Sequence, residues 1–131
     1  MKQKLLASIA VFVSWFLVDA ICHGFALSSL QDSTPQVWRP RSEFKIGLIY
    51  SGVAISVVSF VLIYAKLISP KSLRRGIEYG ALYGLATGCA IGFGGYAVHP
   101  IPFALAAGWF FVAVIEALVG GAIVGAIVTE K

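Results

Sequence analysis

The sequence predicts an all-α, polytopic membrane protein: a bundle of four transmembrane helices with both termini on the cytoplasmic side. Three observations predict this fold. Of the 131 residues, 59% are hydrophobic and 12% are charged, about half the charge that is usual in soluble domains. The charged residues lie between apolar stretches that are long enough to cross a bilayer as helices. Glycine also recurs at every fourth position from residue 76 to residue 92.

The first predicted span covers residues 5–27 and follows Lys2 and Lys4. A basic start before an apolar run is also typical of a secretory signal peptide. Residues 18–20 offer no Ala-x-Ala cleavage site, so we expect a transmembrane helix that is not removed. Residues 28–45 contain two prolines and many polar side chains, which predicts a long outer loop.

The rest of the chain divides into three further spans and two short connections. Lys66 lies near the end of the second span, where its long side chain can reach the membrane interface. The prolines of the last connection cannot continue a helix. The predicted elements are a second span at 46–68, a cytoplasmic loop at 69–75, a third span at 76–98, an outer turn at 99–102 and a fourth span at 103–128.

The distribution of basic residues predicts the orientation, because cytoplasmic loops carry an excess of Lys and Arg. One side of the predicted bundle holds Lys2, Lys4, Lys66, Lys71, Arg74, Arg75 and Lys131, whereas the other holds Arg39, Arg41 and Lys45. Both termini are therefore expected in the cytoplasm and the chain in the inner (plasma) membrane. We interpret the net charge of +4 as a topology signal, and the expected partner is the lipid bilayer rather than nucleic acid.

The glycine repeat predicts close helix packing. Residues four apart lie on one helix face, and small residues let membrane helices approach closely. The third span therefore presents a groove formed by Gly76, Gly80, Gly84, Gly88 and Gly92, and the fourth span offers a matching seam of Ala113, Ala117, Gly121 and Gly125. Two interpretations remain open at this point: the fourth span fills the groove within one chain, or a second copy fills it and makes an oligomer.

Ionisable residues at membrane depth are costly and mark candidate sites. Asp19 and His23 are four apart in the first span, and Glu116 lies near the middle of the fourth. At 1.5 Å per residue, Asp19 lies about 12 Å and Glu116 about 20 Å below the outer end. We expect Arg39 of the outer loop to fold onto Asp19 as its counter-ion.

Hydroxyl groups of the second span are the remaining members of the expected polar site. Ser56 and Ser59 lie at depths between Asp19 and Glu116, so they are predicted to link the two acids through water. A weaker interpretation is a metal or haem site formed by Asp19, His23 and His99, because carboxylates and imidazoles are suitable ligands. Their spacing is unspecific, and we expect no cofactor.

The motifs Asp19-x-x-x-His23-Gly24 and Trp38-Arg39-Pro40, with Glu116 in a glycine-rich last span, resemble those of uncharacterised small bacterial inner-membrane proteins with four helices. The resemblance extends over most of the chain. It implies the four-helix architecture and no activity.

No nucleophile elbow, phosphate-binding loop or other catalytic motif is present in the sequence, so we expect no enzymatic activity. The favoured function is an accessory or scaffolding subunit of a membrane complex or homo-oligomer, with a buried polar site. The first alternative is a proton- or cation-coupled transporter or channel that uses Glu116 and Asp19. The second is a redox component that binds a metal or haem.

Overall fold

The computed structural model describes residues 1–130, which are mostly helical and contain no β-strand. Four of its helices are long and apolar enough to cross a membrane, which confirms the all-α, four-helix prediction. We number them one to four: Lys2–Ala26, Ile46–Leu67, Leu73–Val98 and Phe103–Ile127. Lys131, one of the basic residues in the orientation argument, lies outside the described residues.

Helices one and three each change from α to π geometry along their length. Helix one is α-helical over Lys2–Ile21 and then π-helical over Cys22–Ala26. Helix three has a π segment, Cys89–Phe93, between the α segments Leu73–Gly88 and Gly94–Val98. Such π turns interrupt the regular ladder of hydrogen bonds and often occur at functional sites.

The bundle has two ends. The loop end carries residues 28–45 and the turn at 99–102, and the terminal end carries both chain termini and the turn at 68–72. Helix three begins at Leu73, three residues before the predicted boundary, because Ser72 caps it: the side-chain oxygen accepts a hydrogen bond from the Arg75 amide at 3.2 Å. The long loop also contains the short helices Ser28–Asp32, Pro35–Val37 and Arg41–Glu43.

Helices three and four form the tightest contact of the fold. All five glycines of the repeat are buried and face helix four. A Cβ atom added to Gly84 would lie 2.9 Å from both the Cβ of Ala117 and the Cα of Val114, closer than non-bonded carbon atoms approach. The remaining contacts of the seam are Gly76 with Gly121 and Gly125, Gly80 with Ala117 and Gly121, and Gly88 and Gly92 with Phe110. Helix four of the same chain thus occupies the groove of helix three.

An aromatic cluster fixes the terminal half of helix two against the other helices. Phe60 is fully buried, and its ring centroid lies 5.4 Å from that of Trp15 and 4.6 Å from that of Tyr79. The Tyr79 hydroxyl donates a hydrogen bond to the Phe60 carbonyl at 2.9 Å. The buried Tyr64 hydroxyl donates to the Ser72 carbonyl at 2.9 Å. These contacts tie helix two to helices one and three at the terminal end.

The loop half of helix two, residues 46–55, has no comparable support. Most of its side chains are exposed; Leu48, for example, is 73% exposed. The buried residues of the helix begin only at Val57. On this half Tyr50 contacts Phe16 of helix one, with 5.9 Å between ring centroids, and a cavity opens beside it, lined by helix one and the long loop.

The C-terminal segment is tied to the turn between helices two and three. Glu130 accepts a hydrogen bond from the Ser69 hydroxyl at 2.6 Å and another from the Lys71 amide at 3.3 Å. The hydrogen bond from Ser69, with smaller contributions from the amide and charge of Lys71, lowers the pKa of this exposed carboxyl group. A nearby contact from Gln3 to Thr129, 2.9 Å long, brings the two chain ends together.

Replacing Gly80 with Ala tests the packing of helices three and four. The added methyl group has no space against the Ala117 backbone, so the helices must separate. We expect Gly80→Ala to lower the free energy of unfolding by about 1–3 kcal/mol, the usual effect of overpacking. The measurement is reversible unfolding in detergent, followed by circular dichroism.

Gly94→Ala is the matched control, because a Cβ atom at Gly94 of the same helix meets nothing within 4 Å. Its stability should stay the same or rise by up to about 1 kcal/mol, since alanine favours helix over glycine. Equal destabilisation by the two substitutions would contradict the close packing of helices three and four at Gly80.

Candidate functional site

Two acidic side chains from different helices meet in the half of the bundle that is nearer the loop end. The carboxyl groups of Asp19 in helix one and Glu116 in helix four lie within interaction distance of each other. Oε1 of Glu116 is buried and has no hydrogen-bond partner among residues 1–130. Two adjacent carboxylates repel each other, so such a pair favours a proton or a cationic group between them.

The directions of the side chains explain why the two acids meet despite their different depths. In an α-helix each Cα–Cβ bond points towards the N-terminus. Helix four begins at the loop end, so the Glu116 side chain points towards the loop end. Helix one begins at the terminal end, so the Asp19 side chain points towards the terminal end. The two side chains therefore approach each other across a depth difference of about 8 Å along the helices, from the rise of 1.5 Å per residue.

Trp15 holds helix one and helix four in register below the acid pair. Its indole Nε1–H donates a hydrogen bond of 2.6 Å to the main-chain carbonyl of Glu116, and the ring is 8% exposed. Gly120 makes room for it: a Cβ atom there would lie 3.0 Å from Nε1 of Trp15 and 3.2 Å from the Phe60 ring.

His23 extends the polar cluster towards the loop. Nε2 of His23 lies 3.4 Å from a carboxylate oxygen of Asp19, and its Nδ1 lies 3.0 Å from the side-chain nitrogen of Gln31. An amide nitrogen only donates, so this orientation of Gln31 requires the tautomer in which Nδ1 accepts and Nε2, facing Asp19, carries a proton. His23 belongs to the π segment of helix one, where the widened turn presents it above Asp19.

A cavity of about 870 Å³ opens at this cluster. It lies between helix one, the loop half of helix two and the long loop. Asp19, with a side chain that is 44% exposed, lines it together with His23 and Gln31. The apolar part of the lining consists mainly of Phe12, Phe16, Trp38, Phe44, Ile49, Tyr50 and Val53.

The expected ion pair between Arg39 and Asp19 does not form. Arg39 lines the same cavity but makes no ion pair with any of residues 1–130; Asp19 is paired with His23 instead. The neighbouring Trp38 explains the difference. Its ring packs against Trp109 of helix four, 5.7 Å between centroids, and its indole N–H donates to the Gln31 carbonyl at 3.1 Å, which holds this part of the loop at the cavity rim.

The predicted hydroxyl link between the acids is also absent from the site. Ser56 and Ser59 are exposed, whereas Val57 and Phe60 are buried. Successive residues of an α-helix are rotated by about 100°, so the serines lie to one side of the face that packs into the bundle. The larger apolar side chains occupy that face, which turns the hydroxyl groups outward.

His99 lies in the turn between helices three and four, and its ring Nδ1 donates to the Gly95 carbonyl at 3.1 Å. Asp19 and His23 are adjacent, but His99 does not join them. No group of three or more His, Cys, Asp or Glu side chains within residues 1–130 is arranged to hold a metal ion.

Sequence reasoning identified Asp19, His23 and Glu116 but missed the aromatic wall of the cavity and Gln31. One signal for the wall was present. Phe12 and Phe16 precede Asp19 and His23 at spacings of four, three and four residues, the pattern of a single helix face. Gln31 and Tyr50 carried no such signal, because the loop fold and the tilt of helix two decide their positions.

Comparison of the chain with protein-family models, with curated proteins and with solved structures gave no match.

Replacing Trp15 with Phe tests the contact below the acid pair. The substitution keeps an aromatic ring but removes the hydrogen bond to the Glu116 carbonyl. We expect the free energy of unfolding to fall by about 1 kcal/mol more than in a Trp→Phe variant that loses no hydrogen bond. Detergent-solubilised protein is unfolded and both variants are compared with the parent chain.

Trp109→Phe supplies that comparison, because Nε1 of Trp109 is buried without a hydrogen-bond partner in the described part of the chain. If Trp109→Phe destabilises the protein as much as Trp15→Phe does, the hydrogen bond of Trp15 does not stabilise the fold.

Proposed function

We propose that the protein is a multi-pass protein of the inner membrane, with both termini in the cytoplasm, that serves as an accessory or scaffolding subunit of a membrane complex. Support for membrane insertion comes from the four long apolar helices. Support for the orientation comes from the basic residues, of which Arg74 and Arg75 lie at the terminal end and flank Glu78 at 2.9 and 3.2 Å.

The cavity is the observation that carries the functional proposal. It presents the carboxylate of Asp19, the imidazole of His23 and the amide of Gln31 beside helices one and two and beneath the outer loop. A group of another molecule can reach this site from the loop end or from the bilayer. The chain has binding groups there and no catalytic motif. This combination suits a subunit that binds another molecule without transforming it.

The loop half of helix two supports a protein partner. Ile46, Leu48 and Ile49 are half or more exposed, and Ile49, Tyr50 and Val53 line the cavity. Helix three cannot provide the contact through its glycine groove, because helix four of the same chain already fills that groove. The surface proposed for a partner is therefore residues 46–55, next to the mouth of the cavity.

A transporter that uses Glu116 and Asp19 is the weaker interpretation. The acids are adjacent, as proton transfer requires. Below them, however, Trp15, Phe60 and Tyr64 are packed and buried, and this core separates the acids from the terminal end. A subunit that binds at the loop end needs no path through the core.

The orientation is tested by labelling single cysteines. In a chain with Cys22 and Cys89 replaced by Ala, cysteine is introduced at Ser42 of the long loop or at Ser69 of the terminal end. A membrane-impermeant maleimide added to spheroplasts should label Ser42→Cys, and should label Ser69→Cys only after the membrane is disrupted. The reverse pattern would place both termini outside.

The accessory role is tested with a photo-reactive amino acid at Tyr50, at the mouth of the cavity. We expect irradiation of native membranes to yield one discrete cross-linked protein, which also co-purifies with the chain in mild detergent. Leu82, which is 70% exposed on helix three, is the control position and should give no such product. A chain that purifies as a monomer and cross-links only to lipid at both positions would refute the accessory role.

A further inference from the structure

The cavity has the dimensions of a small-molecule site. Its volume of about 870 Å³ lies within the range of roughly 300–1,000 Å³ that is typical of ligand pockets. Its lining is mostly apolar, with polar groups at the base and at the rim, a composition that is also usual for such pockets.

The apolar wall of the cavity can pack against a planar aromatic group or a hydrocarbon chain of a ligand. Phe16 of helix one and Tyr50 of helix two contact each other, with their ring centroids 5.9 Å apart, and both rings line the cavity as one aromatic wall. Phe12 continues this wall on helix one, and Phe44 closes it from the loop. Aromatic faces also attract a cation that lies within about 6 Å of the ring.

The polar base is rich in hydrogen-bond acceptors. Asp19 lines the cavity, Glu116 lies directly behind it, and the buried Oε1 of Glu116 has no donor among the described residues. Among the described residues, Nε2 of His23 faces Asp19 at 3.4 Å. A protonated amine carries several N–H donors and no acceptor, so it complements this base.

The charged residues at the rim contribute less to the choice of ligand than the polar base of the cavity does. Arg41 is neutralised by Asp32 at 3.0 Å, and both are exposed at the mouth. Arg39 also lines the rim and forms no ion pair within residues 1–130. A phosphate group held by Arg39 would bring no hydrogen-bond donor to Asp19. The base therefore favours a cationic ligand over a lipid.

We propose that this cavity binds an amphiphilic organic amine: a single protonated amino group held by Asp19, backed by Glu116, and an apolar or aromatic body packed against the wall of Phe16 and Tyr50. This inference rests on the polar site of the proposed function, but it requires no partner protein. Failure to find a partner therefore leaves it intact, and failure to bind an amine leaves the accessory role intact.

The test uses the full chain in phosphatidylcholine nanodiscs, with 2-(1-naphthyl)ethylamine as the probe and calorimetry as the measurement. Empty nanodiscs supply the blank for partition into lipid. We expect saturable binding of one amine per chain, and at least about tenfold weaker binding of the neutral isostere 2-(1-naphthyl)ethanol, because a charge-assisted hydrogen bond is lost.

Three variants locate the site. Asp19→Asn should weaken amine binding by about tenfold or more, whereas Glu43→Gln, which neutralises an exposed carboxylate of the long loop outside the cavity lining, should change it by less than about twofold. Tyr50→Ala alters a side chain that is 42% exposed and so keeps the fold; it should weaken binding of the amine and the alcohol alike. This variant tests the site even if Asp19→Asn does not fold.

Several results would overturn the proposal. Equal affinity for the amine and the alcohol, or amine binding unaffected by either Asp19→Asn or Tyr50→Ala, would remove the assigned recognition. A phospholipid that co-purifies at one molecule per chain, resists displacement by the amine and is lost in Arg39→Ala would make the cavity a lipid site instead.

Discussion

The close approach of helices three and four is the contact on which the rest of the structure depends. In water a glycine every fourth residue would weaken a helix, since each costs about 1 kcal/mol relative to alanine. Inside a bilayer the main-chain groups have no water to bind, so the helix is enforced, and contact between backbones becomes the main attraction between helices. Gly80 and Gly84 lie directly on the Ala117 turn of helix four, a contact that no larger residue permits.

This contact places helix four at the centre of the bundle, and the candidate site follows from its position. Helix one packs on another face of helix four, where Gly120 admits the Trp15 ring. The Trp15 hydrogen bond to the Glu116 carbonyl then fixes the height of Asp19 relative to Glu116. The buried contacts of helix two lie in its terminal half, and the cavity opens beside its loop half. The packing of helices one and three on helix four thus places the acid pair next to an accessible space.

The sequence predicted the parts of this structure that depend on local pattern. Apolar length predicted the four helices, and the glycine spacing predicted a groove that the structure shows to be filled by helix four. The sequence prediction placed Asp19 and Glu116 at different depths because it used the rise per residue and did not consider the direction of each side chain. It assigned Arg39 to Asp19 and missed that Trp38 holds the loop at the rim. Loop conformation and the tilt of a helix depend on contacts between distant residues, which spacing along one chain does not reveal.

The most direct test of the seam is solid-state NMR of the protein in lipid bilayers, with ¹³C at the Cα atoms of its 14 glycines. The Cα atoms of Gly76 and Gly125, and those of Gly80 and Gly121, lie in contact across the seam. We predict a carbon–carbon cross-peak for each pair that keeps its relative intensity when labelled chains are diluted with an excess of unlabelled chains. Cross-peaks that disappear on dilution would mean that the glycine groove joins two copies, and the absence of both peaks would contradict the fold described above.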